Sequence, residues 1–550
     1  MSKRAITLPD LLQRAAVDLP FFAYWFFPQA FRLPFAPFHH DVFADHLRMS
    51  SVALAERTGE RLALAAPRGS AKSTLVSYLL LLHDVFYQRE PYIILISATQ
   101  RQAEQRLRAI RMELLQNPVL RKINPPWFAH QDFSTTERVL MVGQTRVEAF
   151  GAGVEMRGIS YNGWRPTKII LDDVESSASA MSPRRRARLK QWFAEVIEPL
   201  GQRQTHLLII GTVLHRESLL AELLERPDFH ARRYASIDAF PPNTAEWQAW
   251  RELLVTPIEL GDPLSARDKA RAYFLNHQQT MTEGSRVLWP ESEDIEQLMA
   301  QLQLQGRRSF YQEKQNQPQG PEDSLFHPSE YWAARRNPTG WEVRSPWGTP
   351  ARPAVLRSHH AGELQFVGHL DSALGKSKAT QQGDFAAIAV VALTSEGQYL
   401  AVESWIKRAS PSEQIQALLD LHQTYGFQRV TLEGTGFQEL LQEPLQEACR
   451  ARGFPGGIPP FRVEMVKPTL KKELRIARLE PFLCSGRLAL SAELPEEFWR
   501  ELADYPRCAH DDALDALAGA LDAAEKLQKQ TQTQPVQLFT KQLQRRTPSL

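Results

Sequence analysis

The stretch Ala66-Pro67-Arg68-Gly69-Ser70-Ala71-Lys72-Ser73-Thr74 follows an apolar run and opens an amphipathic segment. Its spacing is that of GxxxxGK[ST], with alanine at positions 66 and 71 where that pattern carries glycine. A strand that turns sharply into a helix presents backbone N–H groups, and the positive end of the helix dipole, to a phosphate group. Arg68, Gly69, Ser70, Ala71, Lys72, Ser73 and Thr74 are therefore expected to bind ATP. Lys72 would reach the β- and γ-phosphates, and the Ser73 hydroxyl would ligate Mg²⁺.

Outward from this loop, short apolar runs at Leu62–Ala66, Tyr92–Ser97, Lys168–Leu171 and Leu207–Ile210 alternate with helical patterns such as Lys72–Tyr87 and Arg101–Gln116. Alternation of this kind predicts a mostly parallel sheet flanked by helices, the α/β architecture of a P-loop NTPase domain, placed at 61–325. Phosphoryl transfer also needs a carboxylate for Mg²⁺ and one to orient the attacking water. Lys168-Ile169-Ile170-Leu171-Asp172-Asp173-Val174-Glu175 supplies acids at a strand end. Asp172 is the expected Mg²⁺ ligand, and Asp173 or Glu175 the water-activating acid. Thr212, closing Ile210-Gly211-Thr212, would sense the γ-phosphate. Arg68 and Arg157 are candidates for stabilising charge on the transferred group. The run Arg184-Arg185-Arg186-Ala187-Arg188-Leu189-Lys190 would either track a nucleic-acid backbone or form a solvated helix face.

The pattern changes in the second half. After 326–360, a Pro- and Gly-bearing stretch that reads as a linker, strands are expected at Gln365–Leu370, Ala386–Leu393 and Tyr399–Lys407, the last two joined through Ser395-Glu396-Gly397. A helix Pro411–Tyr425, a strand Arg429–Leu432, a helix Phe437–Arg450 and a strand Arg462–Val466 follow. Three β elements and then alternating α and β are the order of an RNase H-like domain, placed at 361–525. Asp371 and Glu433 stand at the ends of two of these strands, and His510-Asp511-Asp512-Ala513-Leu514-Asp515-Ala516 opens the last helix. That strand order gathers the acids at one edge. Carboxylates so crowded repel one another unless divalent ions neutralise them. Two ions about 3.5–4 Å apart would stabilise the attacking and leaving oxygens of phosphodiester cleavage. Asp371, Glu433 and Asp512 are the expected ligands, with Asp511 as the alternative or a helix cap, and Asp384 as an auxiliary. All-oxygen donors suit Mg²⁺, with Mn²⁺ as a substitute.

Composition sets the bounds. The 550 residues are enough for several domains, and 43% are hydrophobic, so each can bury a core. Lys and Arg outnumber Asp and Glu by only 2, which leaves recognition of nucleic acid to local patches. Three cysteines, Cys449, Cys484 and Cys508, lack metal-ligand spacing and fit a reducing cytosol. The aromatic run Phe21-Phe22-Ala23-Tyr24-Trp25-Phe26-Phe27 within the N-terminal segment 1–60 is far shorter than the roughly 18 residues of a membrane span and reads as a helix packed on its neighbour. No signal peptide is expected. Residues 526–550, rich in Gln, Thr and Lys/Arg, read as a disordered tail.

In this order the motifs resemble the large subunit of a tailed-bacteriophage terminase over roughly 60–525. The resemblance rests on the Arg-bearing loop, Arg157-Gly158 before Arg165-Pro166, the Leu171–Glu175 acids and Gly211-Thr212. It continues through Val287-Leu288-Trp289-Pro290-Glu291, Gln315-Asn316-Gln317-Pro318, Asp371, Glu433 with Gly436-Phe437-Gln438, and His510-Asp511-Asp512 to Asp515-Ala516. It implies ATP hydrolysis coupled to translocation of double-stranded DNA, and endonuclease cuts that begin and end packaging. It also implies a small terminase subunit and the procapsid portal as partners, a homo-oligomeric ring, no membrane, and action in the bacterial host cytoplasm rather than the mature virion. Departures are Ala66 and Ala71, Ser372 where proline is frequent, and Asp173 where many members carry Glu. A helicase–nuclease of repair or defence is the competing class, but further helicase motifs do not occur in the sequence. A docking protein with a vestigial ATPase is disfavoured by intact Lys72, Ser73 and Asp172.

Overall fold

The computed structural model describes residues 7–123, 134–242, 244–255, 264–318, 324–346, 356–372, 385–433 and 437–544. The chain divides into two compact units, 1–241 with 284–299 and 308–320, and 242–283 with 300–307 and 321–550.

The first unit is built on β1 (Arg61–Ala65), β2 (Tyr92–Ser97), β3 (Ser134–Thr135), β4 (Val139–Val142), β5 (Thr145–Gly151), β6 (Lys168–Asp172), β7 (His206–Gly211) and β8 (His230–Arg233). Among the described residues their order is β3-β4-β5-β2-β6-β7-β1-β8. The central strands read YIILIS, KIILD and HLLIIG and are buried along their whole length, because helices cover both faces of a parallel sheet. Ala65 pairs with Gly211, Asp172 with Ile210, and Ser97 with Asp172, so four strands end level at one carboxyl edge. In open α/β sheets that edge is where ligands bind.

The N-terminal segment folds as helices Leu8–Val17, Leu19–Phe26 and Pro37–Ser50. Phe22 and Phe26 are fully buried, and Phe22 packs edge-on to His83 and Phe86. A buried polar cluster ties these helices to the opposite end of the sheet. Lys168 donates to Asp84 at 2.5 Å, and His46 meets His83 at 3.0 Å. Burial is the main cause that holds both histidines well below their ordinary pKa, with Lys168 and Arg89 adding to it at His46, and His46 and then Arg89 at His83. β9 (Ile237–Ala239) and β10 (Arg286–Val287) pair separately within this unit.

The second unit holds β11 (Ala333–Asn337), β12 (Gly340–Arg344), β13 (Leu356–His360), β14 (Gln365–Asp371), β15 (Ala386–Leu393), β16 (Tyr399–Lys407), β17 (Arg429–Glu433), β18 (Arg462–Val466) and β19 (Leu488–Ser491). Among the described residues they form one sheet in the order β13-β12-β11-β19-β16-β15-β14-β17-β18. β14, β15 and β16 are antiparallel neighbours, while β17 and β18 run parallel to β14. This is the RNase H-like order expected from the sequence, with helices Pro411–Tyr425 and Phe437–Ala451 in their expected places.

Two expectations need correction. The described part of 326–360 is not a linker, since β11, β12 and β13 extend the sheet from β19. Its Pro338-Thr339-Gly340 marks a hairpin turn, where the Asn337 Oδ1 accepts from the Gly340 and Thr339 N–H groups at 2.7 and 3.0 Å. Ala334, Trp341 and Val343 are buried beneath it. The last helix, Asp512–Gln544, runs on into the expected disordered tail, because the Gln and Lys of that stretch favour helix as well as solvent. Its first turns lie on β14 and β15, whose small Ala386, Ala387, Ala389 and Ala392 are fully buried. Gly519 sits against the His369 ring, where a Cβ would collide.

Candidate active sites

In the first unit the loop after β1 carries two left-handed residues, Gly69 at φ 90° and Ala71 at φ 61°. Ala71 thus takes up the conformation that glycine supplies in the general motif, at a cost of about 1 kcal/mol or slightly more. Ala71→Gly is expected to raise the thermal midpoint of this unit by a few degrees and to leave activity intact, which differential scanning calorimetry would record. The loop is braced from behind. The Arg68 N–H donates to the Glu313 carbonyl at 2.8 Å, and the Arg68 carbonyl accepts from Lys314 Nζ at 2.9 Å. Lys314 also pairs with Glu293 at 2.6 Å. These bracing residues, Glu293, Glu313 and Lys314, adjoin the two motifs 287–291 and 315–318, which are in turn anchored to the same unit. Gln315 exchanges two hydrogen bonds with Ile237, Asn316 bridges Val213 and Tyr234, and Trp289 packs edge-on to His39, whose Nε2 lies 3.2 Å from the Ser70 carbonyl. A small recess lined by Arg68, Gly69, Ser70, Leu288, Trp289 and Glu293 flanks the loop.

At the sheet edge the Ser73 Oγ donates to Asp172 Oδ1 at 2.8 Å. Asp172 is fully buried; burial raises its pKa against the opposing Arg106 guanidinium, whose Nη1 lies 3.1 Å from Oδ2. Asp173 adopts φ 48°, which turns its carboxylate to 3.8 Å from Lys72 Nζ and 4.0 Å from Arg106. Gly211 leaves it room, since a Cβ there would lie 3.3 Å from Asp173 Oδ1. Glu175 points elsewhere. It accepts from the N–H groups of Leu219 and Leu220 at 3.1 and 3.3 Å and so caps the helix Leu219–Glu225; burial is the main cause of its raised pKa. Thr212 donates to the Ala66 carbonyl at 3.3 Å, tying the end of β7 to the loop. Arg68 and Arg157 have side chains 76% and 73% exposed, and Arg157 pairs with Glu155. In the basic run, Arg186 is buried against Ala180 and Glu217, while Arg184, Arg185 and Arg188 are exposed. The sequence reading missed Arg106. It lies on the helix Gln100–Gln116 with Nε on Ser97 Oγ at 3.1 Å, and an arginine on a helix face gives no signal until β2 and β6 are known to be neighbours.

In the second unit Leu370 pairs with Leu432, so the acids that follow, Asp371 and Glu433, emerge side by side. The third carboxylate is Asp515. Ligand oxygens of Asp371, Glu433 and Asp515 all lie within 4.8 Å of one another, among the described residues the group that could hold a metal. Asp511 and Asp512 lie outside the trio and instead share Lys472 Nζ, at 2.7 and 2.6 Å. Helical phase explains the difference. Asp512 is the first residue of the last helix, at the lip of the site, whereas Asp515 is nearly one turn further in and faces the sheet. The Ala513 N–H at this helix start donates to Glu501 Oε2 at 3.0 Å. The i, i+3 spacing of Asp512 and Asp515 was the available signal. Asp384 and Gly436 lie outside the described residues.

The trio is electrostatically tense. Burial, then the charge of Glu433, pushes Asp371 up to about 6. Burial pushes Asp515 up to about 7, with Arg475 opposing and Asp371 adding to the rise. Among the described residues, Asp515 Oδ1 is buried without a hydrogen-bond partner, as a lone pair available to a ligand would be. Oxygen donors of this charge and crowding fit a hard divalent cation. His369, neutral because burial drives its pKa to about 3, bonds Thr431 at 2.8 Å and fixes β14 to β17 just behind the acids.

Residues 370–524 match the family model of the terminase RNase H-like domain. Over this stretch the second unit is similar to terminase RNase H-like domains. The resemblance to terminase large subunits read from the motifs is borne out over this region. Solved structures match more widely. The large terminase of a thermophilic bacteriophage, in complex with ADP, is 10% identical, with 88% of this chain and 98% of that chain covered at a TM-score of 0.39. The bacteriophage HK97 large terminase is 12% identical over 89% and 95% of the two chains, at a TM-score of 0.28. The human cytomegalovirus terminase nuclease domain, Mn soaked and inhibitor bound, is 15% identical over 29% of this chain and 84% of that one, at a TM-score of 0.22. No curated protein matches the sequence. No helix among the described residues is long and apolar enough to cross a membrane.

Proposed function

We propose that this chain is the motor and nuclease of a phage DNA-packaging machine: its first unit hydrolyses ATP, and its second cuts DNA with two divalent ions. The observation that carries the reading is the Asp371–Glu433–Asp515 trio at the edge of an RNase H-ordered sheet, inside the region matching the terminase domain model. Mg²⁺, or Mn²⁺ in its place, would activate water and neutralise the leaving oxygen there. Asp371 and Glu433 would hold it with Asp515, and Asp512 at the lip remains within the field of Asp371.

In the first unit Ser73 and Asp172 would hold the nucleotide's Mg²⁺, and Lys72 would contact the β- and γ-phosphates. Asp173 is the better placed of the two candidate acids for the attacking water, because it faces Lys72 while Glu175 is engaged at a helix start. Glu175→Gln should therefore lower stability by about 1 kcal/mol, as a lost cap does, and reduce ATP turnover no more than a few-fold. An ATPase-dead but well-folded Glu175→Gln would reverse the two assignments. Double-stranded DNA, a small terminase subunit and the procapsid portal are the proposed partners, with a homo-oligomeric ring during packaging in the host cytoplasm. The test is an assay of the purified chain for DNA-stimulated ATPase and for Mn²⁺-dependent plasmid cleavage. Absence of both activities sinks the proposal.

A further inference from the structure

The helix Lys472–Ala477 and the residue after it present a row of cations, Lys472, Arg475 and Arg478, three residues apart. The row meets a row of acids on the last helix and at the residue before it. Lys472 pairs with Asp511 and Asp512, while Arg478 pairs with Asp522 and Glu525 at 2.8 and 3.2 Å. Between them the Arg475 fork spans the trio, with Nη1 2.8 Å from Glu433 Oε2 and Nη2 2.5 Å from Asp515 Oδ2. Thus two of the three crowded carboxylates are held by one guanidinium. The Asp515 side chain is 2% exposed and that of Arg475 15%, so water screens the pair little. The other atoms of the pair are poorly satisfied. Among the described residues, Arg475 Nε and Asp515 Oδ1 are both buried without a hydrogen-bond partner. An arginine built only to brace the fold would have its remaining donor bonded; the hydrogen bonds Arg475 makes among the described residues go to the acids.

We propose that Arg475 is a tethered counter-ion of the nuclease site: it holds Glu433 and Asp515 in place in the metal-free protein and yields them to the divalent ion, so that it sets the metal concentration at which the site loads. The inference rests on the metal-dependent nuclease reading above. The physical case is competition. A carboxylate oxygen that accepts a charge-assisted bond from Arg475 must exchange it for a metal bond, and the free energy of that bond is subtracted from metal affinity. Arg475 is on this view a positioning residue, acting through the acids.

The test is Mn²⁺ binding to the full-length chain, read from the free-ion electron paramagnetic resonance signal, with thermal unfolding measured in parallel. Arg475→Gln should lower the half-saturating Mn²⁺ concentration roughly tenfold, the equivalent of one charge-assisted hydrogen bond removed as competitor. It should also lower the unfolding temperature of the metal-free protein, and saturating Mn²⁺ should recover most of that loss. Arg475→Lys keeps the charge but loses the fork, and should load at an intermediate concentration. Unchanged or weaker Mn²⁺ binding in Arg475→Gln overturns the proposal. So does wild-type loading by Arg475→Lys, which settles the matter if the glutamine variant does not fold. Asp371→Asn separates the two readings. If the wild type binds no Mn²⁺, or Asp371→Asn binds it equally well, the nuclease reading itself fails. If Asp371→Asn loses binding while the Arg475 variants load as the wild type does, only the counter-ion proposal fails.

Discussion

Replacing Lys72 with alanine should abolish ATP hydrolysis while leaving both units folded. Lys72 opens the helical segment that follows the loop after β1, and its ammonium is 3.8 Å from Asp173. Its removal takes away one fixed positive charge from the place where phosphate charge develops. Loss of one preorganised group of this kind lowers turnover by about 10² to 10³-fold, and here ground-state nucleotide binding should weaken as well. Asp173→Asn should behave differently: it keeps the shape and the binding of nucleotide but stops hydrolysis, because the amide cannot accept a proton from water. Phosphate release and binding of a fluorescent ATP analogue, measured on both variants, distinguish the two effects. Plasmid cleavage should persist in each, since the acids proposed to cut DNA lie in the other unit. Near wild-type turnover in Lys72→Ala would show that this loop is not the phosphate-binding loop.

The legibility of the fold followed burial. β2, β6, β7 and β15 are buried on both faces and therefore appear in the sequence as unbroken apolar runs bounded by turns. β11, β12 and β13 read AARRN, GWEVR and LRSHH; only some residues of each enter the core, so their polar remainder imitates a linker. The same distinction governs the sites. Residues at strand ends, such as Asp172, Asp371 and Glu433, were visible because the strand preceding each was visible. Asp515 was harder, since its neighbours Asp511 and Asp512 offer equally good acids and only the phase of the helix on the sheet separates them. Arg106 and Arg475 were invisible for a further reason. Each reaches an acid more than 40 positions away or on a different strand, through pairing that no local pattern encodes.

Asp371→Asn and Asp515→Asn should each eliminate DNA cleavage, and their effects on the metal-free protein should differ with pH. Losing one of three carboxylates that lie within 4.8 Å of one another would remove charge that a bound divalent ion needs, so plasmid relaxation should fall below detection across a Mn²⁺ titration. Stability follows from linkage. Asp371 and Asp515 are pushed up to about 6 and about 7 from an ordinary 3.8, so the folded state binds protons more tightly than the unfolded chain. Their contribution favours folding at low pH and declines as pH rises from about 4 to about 7, where the folded protein must ionise crowded, buried carboxylates. In chelator-containing buffer the wild type should therefore lose stability across this window. Asp371→Asn should lose less, and should melt higher than the wild type at pH 8, because the amide stays neutral and relieves repulsion from Glu433 and Asp515. Asp515→Asn should gain less at pH 8, since it also gives up the charge-assisted bond from Arg475. Saturating Mn²⁺ should stabilise the wild type most and both variants little. Melting curves at pH 5 and pH 8, with and without metal, make the comparison. An Asp371→Asn protein that cuts plasmid as the parent does would show that the trio is not the nuclease site. An unchanged pH profile in Asp371→Asn would show that the acids are less crowded than their geometry implies.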